Sequence, residues 1–163
     1  MAENGRHGVL FVCTGNICRS PTAEGVLLHM ARSRGVLDLL RVDSAGTHDY
    51  HVGEPPDPRA IGHAARRGYD LAPLRARQVA ATDFREFDRI LAMDRGHLRQ
   101  LRASAPAGST ARLAMFLDHS EGWRGLDVPD PYYGGSRGFE EVLDMVEEAS
   151  ARLLEEILAG LDR

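Results

Sequence analysis

The chain contains no lysine, so that each of its 20 basic residues is arginine, spread along the sequence as a composition bias would spread them. Against them stand 24 acidic residues, and the resulting net charge of −4 disfavours a general nucleic-acid binder, which needs a basic surface. Cysteine is nearly absent. Cys13 and Cys18 alone are too few for the disulfide framework of a small secreted domain, and a reducing cytoplasm is the expected setting. No apolar run approaches the ~18 residues of a transmembrane helix. The opening "MAENGRHG" lacks the apolar core of a signal peptide, so no membrane is expected as a partner. Internal repeats, low-complexity segments and linkers are missing as well. At 163 residues the chain is read as a single domain, 1–163, long enough to bury a substantial core.

What the sequence does have is alternation. "GVLFV" (8–12) is a short apolar run bounded by glycine and a polar loop, which suits a buried strand. "SPTAEGVLLHMARSRG" follows as a helix, with Ser20 as N-cap, Pro21 at N1 and Gly35 after the last turn. "LRVDSAG" supplies a second strand, and "DPRAIGHAARRG" repeats the helix grammar with Asp57 as cap, Pro58 at N1 and Gly68 as stop. "DRILAM" (88–93) is a third strand, before a short helix from Asp94 to about Ala103, and "ARLAMFL" is a fourth. From Phe139 to about Leu158 apolar residues recur on one helical stripe. This pattern predicts an α/β fold: a small open four-stranded parallel sheet with helices on both faces. In such sheets ligands bind beyond the carboxyl ends of the strands.

The loop after the first strand, "CTGNICRS", therefore holds the candidate chemistry. A strand-to-helix turn gathers unpaired N–H groups at the positive end of a helix dipole and favours an anion. Gly15 is expected to permit the sharp or left-handed backbone that curls those groups inward. Cys13 at the strand end would have its thiolate stabilised by the N–H groups, Arg19 and the Ser20 hydroxyl. Arg19 offers a planar fork for two phosphate oxygens. A phosphate cradle with a thiolate at its base is a nucleophile placed for in-line attack on phosphorus. In "DVPDPYYGGS" (127–136) Asp130 stands between two prolines, in a segment too stiff for regular structure. It is suited to act as general acid for the leaving alcohol and then as general base for water. Tyr132 and Tyr133 would present aromatic faces beside it.

The string "VCTGNICRSPTAE" resembles the signature of the low-molecular-weight protein tyrosine phosphatases, with Cys-x5-Arg-Ser on Cys13, Arg19 and Ser20. "DSAGT" (43–47), "VGEPPDPRA" (52–60), "RARQV" (75–79) and "DPYYGG" (130–135) resemble that family's further blocks in the same order. The resemblance implies Cys13 as nucleophile, Arg19 as clamp and Asp130 as acid and base. Thr14, Gly15, Asn16, Ile17, Cys18 and Arg19 would cradle the phosphate. It further implies that Asn16, Ser20 and Ser44 support the loop, and that Ile17, Asp49, Tyr50, Tyr132 and Tyr133 line the slot for the phosphotyrosyl ring. Cys18 would trap an oxidised Cys13 as a reversible disulfide. No metal or other cofactor is implied; the partners are phosphotyrosine-containing proteins, with inorganic phosphate as product, and the chain is expected as a monomer or weak dimer. One departure stands out. The family often carries a histidine before the "RARQ" block, tied to the loop asparagine, where this chain has Leu74. The network around Asn16 is then either thinner or completed by another residue.

Two other functions remain open at this level. Thiol-dependent arsenate reductases share the loop, but relay electrons through further cysteines, and none follows Cys18 here. A phosphate-binding regulatory module without turnover is the other. As a metal half-site the cysteine pair fails on spacing. His48 and His51 read as solvated loop residues, Trp123 and the Arg66–Arg67 pair as surface or edge packing, and Glu147, Glu148, Glu155 and Glu156 as a solvated helix face.

Overall fold

The apolar run 8–12 is buried on both of its faces and divides the core in two. The computed structural model describes residues 5–132 and 134–161. In it β1 (His7–Cys13) is flanked by β2 (Leu40–Gly46) and β3 (Arg89–Ala92), with β4 (Arg112–Met115) outermost, in the order β2-β1-β3-β4. All three pairings are parallel, and the register sets Cys13 opposite Gly46 and Val12 opposite Ala92. Val9, Phe11 and Cys13 point to the face covered by α1 (Arg19–Ser33), α2 (Pro58–Arg66) and α5 (Ser136–Leu161). Leu10 and Val12 point to the other face, where Phe84 of the short α3 (Asp83–Glu86) packs with Leu98 and Leu101 of α4 (Arg95–Ser104). The expected four-stranded parallel sheet with helices on both faces is what forms. Because α1 leaves β1 toward one face and α4 leaves β3 toward the other, the connections diverge and open a crevice at the carboxyl ends of β1 and β3.

The helix starts show where local chemistry decided and where it did not. Asp57 caps α2 by accepting from the Arg59 N–H, with Pro58 at N1, and Asp94 caps α4 by accepting from the His97 N–H. At α1 the expected cap is wrong. The helix begins at Arg19 and Cys18 stands at the N-cap without a side-chain capping bond, because the Ser20 hydroxyl is engaged in the preceding loop. Pro21 falls inside the first turn, where its missing N–H costs no helical bond. The predicted fourth strand ends early, its last two residues turning into a 3-10 segment over Phe116–His119.

The acidic side of α5 is a seam as well as a solvated face. Glu147 accepts from Arg67 and from the Tyr69 hydroxyl, Glu140 accepts from Arg67, and Glu148 accepts from Ser120. Glu156 meets His119, and Glu155 meets Arg34 of the loop after α1. Arg67 thus pins α2 to α5, a role its sequence context did not announce. No helix among the described residues is long and apolar enough to cross a membrane.

Candidate active site

Cys13 is the last residue of β1, buried at 3% exposure, and its sulfur faces the start of α1. The Ser20 hydroxyl lies 2.9 Å from Sγ, and the Ser20 N–H points at the same sulfur from 3.5 Å. Between them the loop wraps so that its carbonyls turn outward. Those of Cys13, Thr14 and Ile17 accept from the N–H groups of Thr47, His48 and Asp57 at 2.8–3.0 Å. The N–H groups of residues 14–18 bond to nothing among the described residues. Unbonded N–H groups at the start of a helix favour an anion.

The left-handed residue in this loop is Asn16, with φ 59°, and not Gly15. Asparagine tolerates that conformation, and its side chain holds it there: Nδ2 donates to the hydroxyls of Ser20 (2.8 Å) and Ser44 (2.9 Å), and Oδ1 accepts from the Arg77 N–H at 3.0 Å. Gly15 serves space instead. A Cβ there would stand 2.8 Å from Cδ2 of His51, which covers the loop from above. The Arg77 N–H, Ser44 and Glu24 complete the network around Asn16. Ser44 donates to Glu24 Oε1 at 2.6 Å, and burial pushes the Glu24 carboxyl up to about 7.

Arg19 is 4% exposed and its fork is aimed by three oxygens. Nη1 donates to Asp94 Oδ2 and to the Val128 carbonyl, both at 3.0 Å, and Nη2 lies 3.6 Å from Asp130 Oδ2. The Asp94 Oδ1 accepts from the His97 N–H at 2.9 Å, and His97 Nε2 lies 2.8 Å from the Thr14 hydroxyl. Burial, reinforced by the Arg19 charge, pushes His97 down to about 4, so this imidazole is neutral at pH 7. Burial opposes ionisation of Asp94, but the His97 N–H and Arg19 outweigh it and hold the carboxyl below its ordinary value. Sequence reading took Asp94 only as the start of a helix and passed over His97, since their partners lie 75 and 83 residues away.

Cys13, Thr14, Gly15, Ile17, Cys18, Arg19, Tyr50, Asp130 and Tyr132 line one cavity of about 230 Å³. Tyr133 lies outside the described residues. Asp49 is exposed and does not line the cavity; His51, read as solvated, does, its Nδ1 held 2.8 Å from Glu54 Oε2. His48 stacks on Tyr50 at 4.9 Å between centroids, fixing that aromatic rim. Cys18 is 5% exposed at the N-cap of α1, and burial, with the Asp57 carboxylate adding to it, pushes its thiol up. Both cysteines are free.

Comparison with known proteins agrees with this geometry along the whole chain. The family model described as low molecular weight phosphotyrosine protein phosphatase matches residues 8–162. The low molecular weight protein-tyrosine-phosphatase of Streptomyces coelicolor is 49% identical over 149 residues, covering 90% of each chain. Among solved structures, a protein tyrosine phosphatase from Entamoeba histolytica superposes with a TM-score of 0.90 at 36% identity, over 94% of this chain and 98% of that one. YfkJ from Bacillus subtilis gives 0.89 at 36% identity, over 98% and 99%. Matched over 8–162 by the family model and close to half identical to a curated relative over nine-tenths of its length, the chain belongs to the low-molecular-weight phosphotyrosine protein phosphatase family.

Proposed function

We propose that this chain, as a single phosphatase domain, hydrolyses phosphotyrosine in proteins, and small aryl phosphates, through a cysteinyl-phosphate. The observation that carries the reading is convergence: a buried Cys13 sulfur, the Arg19 fork and the Asp130 carboxyl meet in one cavity floored by unbonded N–H groups. Phosphate oxygens accept from those N–H groups and from Arg19, while Ile17, Tyr50 and Tyr132 offer apolar walls to an aryl ring. The Cys13 thiolate attacks phosphorus. The bond from phosphorus to the aryl oxygen breaks as protonated Asp130 gives that oxygen its proton. Water then attacks the cysteinyl-phosphate, Asp130 takes the water's proton, the sulfur–phosphorus bond breaks, and inorganic phosphate leaves with the thiolate restored. Asn16, Ser20 and Ser44 keep the loop in shape for both steps. The scheme draws on no metal or other cofactor. A reducing, cytoplasmic setting suits a thiolate nucleophile, and the protein acts as a monomer or weak dimer.

The Cys18 thiol enters only under oxidation. Peroxide converts the Cys13 thiolate to a sulfenic acid, the Cys18 thiol displaces water from it, and a disulfide forms that an external thiol reduces.

The test is hydrolysis of an aryl phosphate and a phosphotyrosyl peptide by wild type, Cys13→Ser and Asp130→Ala. Cys13→Ser is expected to show no turnover, and Asp130→Ala a rate loss on the order of 10²–10⁴. Turnover by Cys13→Ser would overturn the mechanism, and phosphate binding without hydrolysis by wild type would favour a regulatory module. In the same assay, peroxide-treated wild type should recover with thiol more fully than Cys18→Ser. Equal recovery removes the redox role.

A further inference from the structure

Asp130 sits on an irregular segment with nothing of a strand or helix to fix it, and its side chain is 39% exposed. A general acid so placed needs its backbone held. One side chain from another element does that. Arg59, in the first turn of α2, sends Nη2 3.0 Å to the carbonyl oxygen of Tyr132, two residues beyond Asp130. Its guanidinium also lies 5.5 Å from the centroid of the Tyr132 ring and 4.9 Å from that of Phe139, at the start of α5. The segment is thus gripped just after Asp130 by a hydrogen bond and at its far end through Phe139.

Arg59 is itself anchored. The Asp57 carboxylate, 8% exposed, takes Arg59 Nε at 3.0 Å and Nη2 at 2.9 Å, the two-point geometry that a guanidinium makes and an ammonium does not. The Asp57 N–H in turn donates 2.8 Å to the carbonyl of Ile17, in the cysteine loop. On the other side the Tyr132 N–H donates to Asp130 Oδ1 at 3.0 Å, and Asp130 Oδ2 lies 3.6 Å from Arg19. The contacts close a ring: Ile17, Asp57, Arg59, Tyr132, Asp130, Arg19 and back into the loop.

We propose that Arg59 is a positioning residue for Asp130, tying the segment that carries the proton donor to the rim of the phosphate loop so that the carboxyl stands at the leaving oxygen. Arg59 touches no reacting atom in this role. Its effect passes through the Tyr132 backbone, and the inference rests on the reading of Asp130 as general acid. Misplacing a catalytic group by about 1 Å can cost on the order of 10²-fold, and only in reactions that need that group.

That requirement makes the test selective. Phenyl phosphate has a poor leaving group that must be protonated; 2,4-dinitrophenyl phosphate has a good one that need not be. For Arg59→Met, kcat/KM should fall on the order of 10-fold or more with phenyl phosphate, up to the 10²–10⁴ that general acid help supplies. With the dinitrophenyl ester it should fall less than about 2-fold by the same reasoning. Arg59→Lys, which keeps the charge without the fork, should recover part of the loss. In an Asp130→Ala background, Arg59→Met should add nothing. An equal loss with both esters, no loss at all, or a full additional loss in the Asp130→Ala background would each overturn the proposal. If Asp130→Ala itself shows no selectivity between the esters, it is the acid assignment that fails, and the two failures are told apart.

Discussion

The Ser44 hydroxyl stands between two partners of opposite demand: it accepts from Asn16 at 2.9 Å and donates to Glu24 at 2.6 Å. Glu24 is 7% exposed. Burial raises its carboxyl from 4.5 to about 7; the Ser44 bond and the Arg77 charge pull it back, and Asp43 adds to the rise. Arg77 cannot neutralise it fully, being shared between Asp43 and Asp83 at 2.9–3.1 Å. The native state therefore keeps this proton to a higher pH than the unfolded chain does. The folded protein binds more protons between about pH 4.5 and 7, so stability falls as pH rises through that window and stays lowered above it. The cost is bounded by about 3 kcal/mol. Glu24→Gln keeps an oxygen for Ser44 and removes the charge. Urea unfolding at pH 5 and pH 8 should show the variant gaining about 1–3 kcal/mol on wild type between the two. A difference that does not change with pH would refute this origin.

At the scale of elements, what could be read locally was read. The apolar runs and their punctuation located all four strands, the cap at Asp57 formed as expected, and the helix expected from Asp94 forms as α4. The start of α1 was misread because Ser20 has a competing use, bridging the Cys13 sulfur and Asn16, that no propensity expresses. The four-residue α3 is too short to leave a period. Around the site, Cys13, Arg19 and Asp130 were legible as a motif and they line one cavity. His97, Arg59 and His51 were not, since each meets the site through contacts that spacing does not encode. Gly46 shows the same limit. A Cβ there would lie 2.7 Å from the Thr14 carbonyl oxygen, so the requirement comes from the neighbouring loop and not from β2 itself.

At the scale of the whole molecule, what holds the fold and what holds phosphate share one face of the sheet, the cradle lying at the carboxyl end of β1. The larger core lies where α1 and α5 pack on one face, and Leu153 is fully buried in it. Along α5, Leu153 stands roughly 25 Å from the helix start that meets the Asp130 segment, at 1.5 Å per residue. Leu153→Ala leaves a cavity and should cost about 2–5 kcal/mol of stability. The site is built on β1, its loop and the crevice between β1 and β3, so kcat measured well below the unfolding temperature should stay unchanged. A ligand that binds only the native state adds stability set by its excess over Kd, about 2.7 kcal/mol at a hundredfold excess. Inorganic phosphate should therefore raise the stability of wild type and Leu153→Ala by the same increment, while Arg19→Met, lacking the fork, gains much less. Thermal or urea unfolding of the three proteins with and without phosphate measures this directly. If Leu153→Ala loses the phosphate increment while still folded, the α1–α5 core and the cradle are one cooperative unit, and neither can be perturbed alone.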